Sequence, residues 1–332
     1  MKILVTGGAG YIGGTVTGLL VEKGHQAVVF DNLSHGRRDL LPAGVTLVEG
    51  EVADRAALES LFIAAKNQGE PFDGVLHFAA LIEAGESMQQ PELYFRNNTA
   101  STLSLLEAIL AHGPRQLVFS STAAVYGEPE SLPIKEDARL LPTNAYGESK
   151  LLVEQMLGWL NRVHGLRYAS LRYFNVAGAP EGPEGVTRGE AHEPESHLIP
   201  LVLDVALGRR MSIKIFGDDY PTPDGSCIRD YIHVSDLADA HLLALDALRG
   251  HDRLIFNLGN GQGFSVLEVI ESARRVTGHP IPAEVHPRRA GDPAVLVASS
   301  EKAIRELGWK PRYTQLDEIV RTAWAWHQKR YA

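Results

Sequence analysis

The chain of 332 residues is longer than one typical domain, and its 44% hydrophobic and 22% charged residues are ordinary for a soluble globular protein with a sizeable core. Its formal net charge of -9 would repel nucleic acid and anionic membranes, so we expect neither as a partner. The single cysteine, Cys227, excludes an intrachain disulfide and a thiolate zinc cluster, and the sequence has no signal-peptide pattern or membrane-spanning apolar stretch, so we predict a cytoplasmic protein.

Short apolar runs alternate with segments of helical periodicity through the first half of the chain. The apolar runs are residues 3–6, 27–31, 46–49, 75–79 and 117–121, and the helical segments are residues 11–23, 55–67 and 91–112. Runs rich in Val, Leu and Ile that are separated by helix-length segments are typical of parallel strands in βαβ units. We therefore predict an α/β fold with a doubly wound, parallel Rossmann-type sheet.

The pattern changes in a Pro-, Gly- and Glu-rich stretch at residues 179–195. This stretch looks too polar to pack in a core, so we place the boundary between two lobes there. Residues 1–178 are predicted to form a dinucleotide-binding domain, with a returning segment at about 230–258. Residues 179–332 are predicted to form mainly a smaller, mixed α/β substrate lobe, with helices at 198–207, 234–248 and 266–277 and short strands near 213–216 and 255–258.

Three glycines, Gly7, Gly10 and Gly13, follow the first predicted strand and open the first predicted helix. A side chain there would block the tight turn, the approach of a pyrophosphate, and close packing of helix on strand. Asp31 ends the second strand, where a carboxylate accepts hydrogen bonds from ribose hydroxyls and repels a 2′-phosphate. These residues predict an NAD site, although the arginines at 37–38 leave NADP open.

Tyr146 and Lys150 stand four residues apart in a predicted helix at 144–164. On a helix, side chains at this spacing project from one face. A lysine ammonium beside the phenol would lower the pKa of the tyrosine and favour the phenolate, the form that removes a proton from a substrate. Taken alone, such a pair is more typical of a helix surface. Its combination with the glycine motif indicates catalysis.

The spacing Gly-x-x-Gly-x-x-Gly and the Tyr-x-x-x-Lys pair resemble the extended short-chain dehydrogenase/reductases, and the likeness runs along the whole chain. It implies that Thr122 supplies the hydroxyl beside the catalytic Tyr146, with Lys150 completing the group. Glu51 stands where relatives commonly carry Asp, and Ile82 where some carry Lys. The cofactor contacts that the likeness implies are Gly7, Gly10, Tyr11, Ile12, Gly13, Asp31, Asn32, Glu51, Val52, Phe78, Ala79, Ala80, Asn97, Ser120, Tyr146, Lys150 and Tyr173.

Residues 121–127, with the sequence Ser-Thr-Ala-Ala-Val-Tyr-Gly, distinguish between reactions within this family. Sugar-nucleotide 4,6-dehydratases resemble this segment but carry Asp-Glu after the threonine, because elimination of water needs an extra acid and base. Ala123 and Ala124 occupy those positions and can neither donate nor accept a proton. Reversible oxidation at one carbon is therefore favoured over elimination.

The rest of the chain resembles the UDP-glucose 4-epimerases, whose motifs match residues 171–175, 196–200, 229–234 and 288–292 in order. The likeness implies a UDP-sugar substrate, and two separated arginines suit its pyrophosphate because a guanidinium makes planar, forked contacts. We assign no metal, and the family implies a homodimer through the helices at 91–112 and 144–164. The implied substrate contacts are Thr122, Tyr146, Asn175, His197, Leu198, Phe216, Arg229, Arg289, Asp292 and Leu296.

The resemblance implies that Tyr146 removes the proton of the sugar 4-OH while hydride passes from C4 to bound NAD. A 4-keto intermediate would turn over and receive the hydride on its other face. One alternative is a 4-epimerase of UDP-N-acetylglucosamine, UDP-xylose or UDP-glucuronate, and another is an NAD-linked sugar-nucleotide reductase or dehydrogenase. A protein that senses NAD without chemistry is disfavoured, because it has no reason to keep Thr122, Tyr146 and Lys150 together.

Overall fold

The structure is a computed structural model and describes residues 1–182, 185–289 and 292–332. The chain divides into two compact units. The first unit comprises Met1–Gly127, Arg139–Arg172 and Ala238–Phe256, and the second comprises Glu128–Ala138, Tyr173–Leu237 and Asn257–Ala332. Within the described ranges, no helix is both long and apolar enough to cross a membrane.

Strands and helices alternate along the first half of the chain and are more mixed in the second half. The strands are β1 (Lys2–Thr6), β2 (Gln26–Asp31), β3 (Thr46–Glu49), β4 (Gly74–His77), β5 (Gln116–Thr122), β6 (Arg167–Tyr173), β7 (Asn175–Ala177), β8 (Glu181–Gly182), β9 (Gly185–Val186), β10 (Ile213–Phe216), β11 (Ile228–His233), β12 (Arg253–Leu258), β13 (Gly263–Ser265), β14 (Ala283–His286) and β15 (Val295–Leu296). The α-helices are α1 (Tyr11–Glu22), α2 (Arg55–Asn67), α3 (Ala84–Ser87), α4 (Pro91–Tyr94), α5 (Ser101–His112), α6 (Ala145–His164), α7 (Leu198–Ala206), α8 (Val234–Ala247), α9 (Val266–Thr277), α10 (Glu301–Leu307) and α11 (Leu316–Tyr331).

A seven-stranded sheet has the order β12-β6-β5-β4-β1-β2-β3. The pairs β1–β2, β2–β3, β1–β4 and β4–β5 are parallel. The predicted doubly wound parallel sheet is therefore confirmed. The chain runs outward from β1 to β3 and then returns to β4 on the other side of β1. The carboxyl ends of β1 and β4 thus flank the point at which open α/β sheets bind ligands.

The first unit has its own hydrophobic core, to which the sheet, α2, α5 and α6 contribute. The middle of β1 has no exposed surface at Ile3, Leu4 and Val5. Such continuous apolar runs are typical of parallel strands, which helices cover on both faces. α2 begins after Asp54, whose side chain accepts a hydrogen bond from the N–H of Ala57 and so satisfies a free donor of the first turn. The sheet edge that carries the predicted cofactor residues is thus fixed by buried packing.

One element predicted as continuous is divided in the structure. The helix predicted at 91–112 contains a π-helical turn, Phe95–Ala100, between α4 and α5. Such turns occur often at functional sites, and this one carries Asn97.

The second unit is a mixed α/β arrangement, as predicted for the C-terminal lobe. β11 pairs with β7 and β15 in parallel and with β13 antiparallel, and β10 and β14 form a separate parallel pair. α9 begins with a capping box in which Ser265 and Glu268 exchange side-chain to backbone hydrogen bonds. α7, α9 and α11 contribute to a second core that includes Val202, Val269 and Ile319.

The expectation that the stretch at 179–195 is too polar to pack in a core is wrong for part of it. Val186 in β9 is 6% exposed, and Glu190 is 7% exposed. A Cβ on Gly189 would lie 2.4 Å from the indole ring of Trp326, so only glycine allows this close approach. The indole N–H donates to the carbonyl of Glu190 at 2.7 Å. The part at 186–190 packs through the Val186 side chain and through the backbone of Gly189 and Glu190, which side-chain polarity alone does not reveal.

Candidate active site

The turn after β1 has no room for a side chain at Gly7 or Gly13. Gly7 has a φ of +71°, and a Cβ there would lie 2.5 Å from the backbone nitrogen of Ala79. A Cβ on Gly13 would lie 2.2 Å from the carbonyl oxygen of Gly7. The N–H of Gly10 donates to the same carbonyl, and α1 begins at the next residue. Backbone without side chains therefore lies at the N-terminus of α1, where free N–H groups can bind a phosphate. The half-buried residues that open α1 are Tyr11 and Ile12.

Asp31 lies at the carboxyl end of β2, and its carboxylate is held by backbone donors. One oxygen accepts the N–H of Ala9 at 2.9 Å, and the other accepts the N–H of Leu33 at 2.9 Å. The amide of Asn32 donates to both carboxylate oxygens of Glu51 at 3.1 Å. Each oxygen of Asp31 retains further acceptor capacity for a ribose hydroxyl, so the residues present fit the adenosine end of NAD. Val52 is half-buried beside Glu51 in the chain.

β4 ends two residues earlier than predicted, at His77. The N–H groups of Phe78 and Ala79 both donate to the carbonyl of Thr6, so the backbone leaves the regular ladder at the carboxyl end of β1. Phe78, Ala79 and Ala80 are all half-buried. The predicted cofactor segment is thus irregular backbone that crosses the switch point of the sheet.

Asn98, which the sequence analysis did not select, holds the loop after β4. Its side-chain oxygen accepts the N–H of Leu81 at 2.8 Å, and its amide donates to the carbonyl of the same residue at 2.9 Å. The amide also donates to the hydroxyl of Ser149 on α6 at 3.1 Å. The predicted residue Asn97 donates to the Asn98 oxygen at 2.9 Å. The π-helical turn therefore links the cofactor segment to the catalytic helix.

Thr122 and Tyr146 are hydrogen-bonded to each other. Thr122 ends β5, and Tyr146 lies in the first turn of α6. Asn144 is the N-cap of that helix, and its side chain accepts the N–H of Gly147 at 2.8 Å. A capped first turn fixes the direction in which the phenol projects. The structure thus brings the predicted base and its hydroxyl partner together.

Lys150 is 3% exposed, and its ammonium donates to the backbone carbonyl of Ser120 at 2.9 Å. The ammonium also lies 5.0 Å from the ring centroid of Phe119. Burial lowers the pKa of Lys150 to about 7. The lysine therefore reaches the end of β5 from the same face of α6 that carries Tyr146.

The expected lowering of the Tyr146 pKa is not what the protein groups alone produce. Burial raises the pKa of Tyr146, the hydrogen bond from Thr122 lowers it, and the charge of Glu83 raises it, with a net increase. The ammonium of Lys150 is directed at a carbonyl group and does not counter the desolvation of the phenol. The sequence spacing predicted the shared face but not the direction of this shift.

A buried ion pair lies behind the end of β5. The guanidinium of Arg172 donates to both carboxylate oxygens of Glu154 at 2.9 and 2.5 Å, and the two side chains are 2% and 6% exposed. The hydroxyl of Ser121 donates to Glu154 at 2.5 Å, and Arg172 donates to the hydroxyl of Tyr126 at 2.9 Å. Glu154 follows Lys150 by four residues, so both lie on the inner face of α6. This network fixes the segment that carries Thr122.

Two of the predicted arginines are placed with other predicted substrate residues in the second unit. Arg229 in β11 is 8% exposed and donates to the carboxylate of Asp292. Arg289 is exposed, and its guanidinium lies 4.1 Å from the ring centroid of Phe216. Residues 290–291 of the same motif lie outside the described residues. Both arginines present guanidinium groups whose geometry suits a diphosphate.

His197 and Leu198 begin α7. His197 is the N-cap residue, its Nδ1 contacts the carboxylate of Glu190, and Leu198 is the first helical residue. Burial lowers the pKa of His197, but the charge of Glu190 and the hydrogen bond to it raise the pKa above its usual range. The other three candidates lie on strands: Tyr173 ends β6, Asn175 begins β7, and Leu296 ends β15 opposite Arg229.

The chain is similar to UDP-glucose 4-epimerases over nearly its whole length. A UDP-glucose 4-epimerase of Halalkalibacterium halodurans is 54% identical over 330 residues, which are 99% of this chain and 96% of the relative. A crystal structure of a UDP-glucose 4-epimerase superimposes with a TM-score of 0.94 at 50% identity, over 100% of this chain and 98% of that one. A UDP-glucose 4-epimerase from Bifidobacterium longum, solved in complex with NAD⁺ and UDP, gives a TM-score of 0.91 at 38% identity, over 99% and 98% of the two chains.

The family model described as the NAD dependent epimerase/dehydratase family matches residues 3–259. That range contains the glycine turn, Asp31 and the group Thr122, Tyr146 and Lys150. The chain therefore belongs to the NAD dependent epimerase/dehydratase family.

Proposed function

We propose that the chain interconverts UDP-glucose and UDP-galactose by epimerisation at C4 of the sugar. The observation that carries this proposal is the similarity to UDP-glucose 4-epimerases over nearly the full chain, at 50% identity or more. The hydrogen bond between Thr122 and Tyr146, with Lys150 on the same helix, supports it independently. The reaction involves no net oxidation, because the cofactor returns to its starting state.

NAD is the proposed cofactor, and it supplies a reversible hydride acceptor for C4 of the sugar. The backbone of Gly7, Gly10 and Gly13 would bind its pyrophosphate, and Asp31 would bind the adenosine ribose. Asn32, Glu51 and Val52 would line the adenine end. Phe78, Ala79, Ala80, Asn97, Ser120 and Tyr173 would line the nicotinamide half, together with Tyr11 and Ile12 at the helix opening.

Tyr146 is the proposed base that removes the proton of the 4-OH and returns it to the 4-keto intermediate. Thr122 would hold the phenol and the sugar hydroxyl in line for this transfer. In the protein alone burial raises the pKa of Tyr146, so the phenolate needs a cation that is brought close to it. Burial lowers the pKa of Lys150 to about 7, so this residue can change its charge near neutral pH.

The nucleotide part of the substrate is assigned to the second unit. Arg229 and Arg289 would neutralise the diphosphate, and the pair that Arg229 makes with Asp292 would orient its guanidinium. Phe216, which lies against Arg289, offers an aromatic face to the base. The remaining proposed contacts are Asn175, His197, Leu198 and Leu296.

The test is a panel of UDP-sugars incubated with the NAD-loaded enzyme, with products identified by NMR and NADH followed by absorbance. We expect UDP-glucose and UDP-galactose to interconvert without a net change in NADH. A stoichiometric change in NADH would indicate a reductase or dehydrogenase instead. Exclusive turnover of UDP-N-acetylglucosamine, UDP-xylose or UDP-glucuronate would reassign the substrate, and a silent panel would favour an NAD sensor.

A homodimer through α5 and α6 is part of the proposal. Three large apolar side chains are exposed on these helices: Leu103 by 42%, Trp159 by 61% and Val163 by 65%. A shared helical interface would remove this surface from water. Light scattering should give the mass of a dimer for the wild type and of a monomer for Trp159→Glu. The control Met211→Glu changes a 93% exposed side chain outside these helices and should remain dimeric.

The cytoplasm is the proposed compartment. Cys227 is a free, buried thiol, and burial raises its pKa, so it is unreactive towards disulfide exchange. A chain that relies on no disulfide for stability suits a reducing compartment. Fractionation of the source cells tests the assignment, because the protein should appear in the same fraction as a thiol-reducing marker enzyme of the cytoplasm.

A further inference from the structure

Four side chains of types that can bind a metal converge in the second unit, and one of them, His197, is also a proposed substrate contact. Glu190, His192, Glu195 and His197 place one ligand atom each within 4.8 Å of one another. Nδ1 of His192 lies 3.1 Å from Oε1 of Glu190 and 3.8 Å from Oε1 of Glu195. Nδ1 of His197 lies 3.9 Å from the same oxygen of Glu195 and contacts Oε1 of Glu190. The spacing in the sequence is Glu-x-His-x-x-Glu-x-His.

We propose that this cluster is a structural binding site for Zn²⁺. Tetrahedral zinc holds nitrogen and oxygen ligands at about 2.0–2.2 Å, which sets the ligand atoms about 3.3 Å apart. Three of the separations, 3.1, 3.8 and 3.9 Å, lie close to that value, whereas His197 and Glu190 are in direct contact and would have to move apart to admit the ion. Two imidazoles with two carboxylates suit zinc, whereas Ca²⁺ and Mg²⁺ prefer shells of oxygen alone.

The backbone that carries the cluster is held in place from α11. The indole N–H of Trp326 and the guanidinium of Arg330 donate to the carbonyl of Glu190 at 2.7 and 3.3 Å. Glu195 accepts the N–H groups of Ser196 and His197, both at 2.9 Å. Ligands that are positioned by hydrogen bonds before the metal arrives bind it more tightly.

Zinc at this point would join the segment at 190–195 to the first turn of α7. His197 is the N-cap of α7, and Leu198, a proposed substrate contact, is its first residue. A metal that binds the folded chain and not the unfolded chain stabilises the fold by mass action. The site therefore predicts a zinc-dependent stability that is separate from the epimerase chemistry.

The experiment titrates the NAD-loaded, chelator-treated protein with Zn²⁺ by calorimetry and follows its thermal unfolding. We expect about one Zn²⁺ per chain and a higher melting temperature with zinc. In His192→Ala, zinc binding should weaken by at least about 100-fold, since even loss of an outer-shell partner costs up to that much. His251→Ala, which removes an exposed histidine of the first unit, should bind zinc like the wild type.

Two further measurements test the proposal even if His192→Ala fails to fold. Glu195→Gln keeps an oxygen that can accept the backbone N–H groups but loses the charge, so it should fold and bind zinc more weakly. Co²⁺ in the wild type should give the intense visible absorption of a four-coordinate site. The proposal would be overturned if the wild type did not bind zinc stoichiometrically. It would also be overturned if His192→Ala and His251→Ala bound zinc with equal affinity, or if Co²⁺ gave the pale spectrum of a six-coordinate site.

Discussion

The catalytic candidates are buried, whereas the substrate-binding candidates of the second unit range from buried to exposed. In the first unit, Thr122 and Lys150 are 8% and 3% exposed, and the ion pair that includes Glu154 is buried behind them. In the second unit, Asn175 and Arg289 are exposed and lie at a strand end and in a loop. The reacting groups are therefore positioned by the core, whereas the nucleotide contacts include exposed residues as well as the buried Arg229 in β11.

This contrast separates the effects that substitutions should have. A change in the buried scaffold should lower turnover or stability for every substrate alike. A change among the exposed contacts should alter the preference between substrates and leave the fold intact.

Tyr146→Phe removes only the hydroxyl that Thr122 contacts, so the fold and the cofactor site should persist. We expect kcat to fall by about 10²–10⁴-fold, which is the usual worth of a general base. The measurement is kcat for UDP-galactose, with bound NAD quantified after denaturation. A variant with near wild-type turnover would show that Tyr146 is not the base, and loss of NAD would show that the substitution is not local.

Glu154→Gln tests the buried scaffold. Arg172 would keep its charge and lose its counter-ion, and removal of one partner of a buried pair typically costs about 3–5 kcal/mol. We expect this loss in the free energy of unfolding measured with urea. The control Glu59→Gln removes a half-buried partner of the exposed Arg55, which lies at 2.7 Å, and should have little effect. Equal losses in the two variants would contradict a special role for the buried pair.

The fold and the core of the catalytic group could be predicted because their signals are local in the sequence. The glycine turn spans residues 7–13, and Tyr146 and Lys150 are four residues apart. The ion pair of Glu154 with Arg172 was missed because it joins residues 18 apart on a helix and a strand. The periodicity of a helix or of a strand does not reveal a contact between the two.

The cluster at 190–197 was missed for a different reason. Its residues are polar, and most of them lie in the stretch that was expected to be too polar to pack in a core. The anchor of Glu190 is Trp326, which is 136 residues away in the sequence. The direction of the Tyr146 pKa shift was also beyond the sequence, because burial depends on the packing of the whole unit.

His77 gives the buried scaffold a pH dependence. The ring has hydrogen bonds to Thr6 at 2.6 Å and Thr102 at 2.8 Å, and Thr102 donates its own proton to the carbonyl of Asn98. Nε2 of His77 is therefore the donor, and the ring is neutral. Burial, followed by the charge of Lys150, lowers the pKa of His77 to about 3.

The unfolded chain binds a proton at His77 near pH 6.5, so stability is full above that pH and falls as the pH drops towards 3. Between pH 6.5 and pH 5, this residue should cost about 2 kcal/mol of the free energy of unfolding. The free energy of unfolding in urea should be measured at pH 7.5 and at pH 5. Its decrease between these pH values should be smaller by that amount in His77→Gln than in the wild type. In the control His251→Gln the decrease should equal that of the wild type. The same loss in both variants would assign the pH dependence to other groups.

Leu296 should have the smallest effect and should change only the choice of substrate. By the family likeness, bulk at this position limits the room for a 2-acetamido group on the sugar, and the structure places Leu296 in β15 opposite Arg229. Extra bulk in a packed site costs about 1–3 kcal/mol, whereas spare room costs a smaller substrate little. UDP-glucose should therefore be preferred over UDP-N-acetylglucosamine by the wild type.

Leu296→Ser should raise the ratio of kcat/KM for UDP-N-acetylglucosamine over UDP-glucose by about tenfold, since a few methyl groups in a pocket are worth this much. Leu296→Tyr should abolish activity on the N-acetyl sugar alone. Val295→Ser is the matched control, because adjacent residues of a strand face opposite sides, so this variant should leave the ratio unchanged. If Leu296→Ser lowered stability and slowed both substrates equally, Leu296 would be an ordinary packing residue. The second unit would then carry its specificity at another residue.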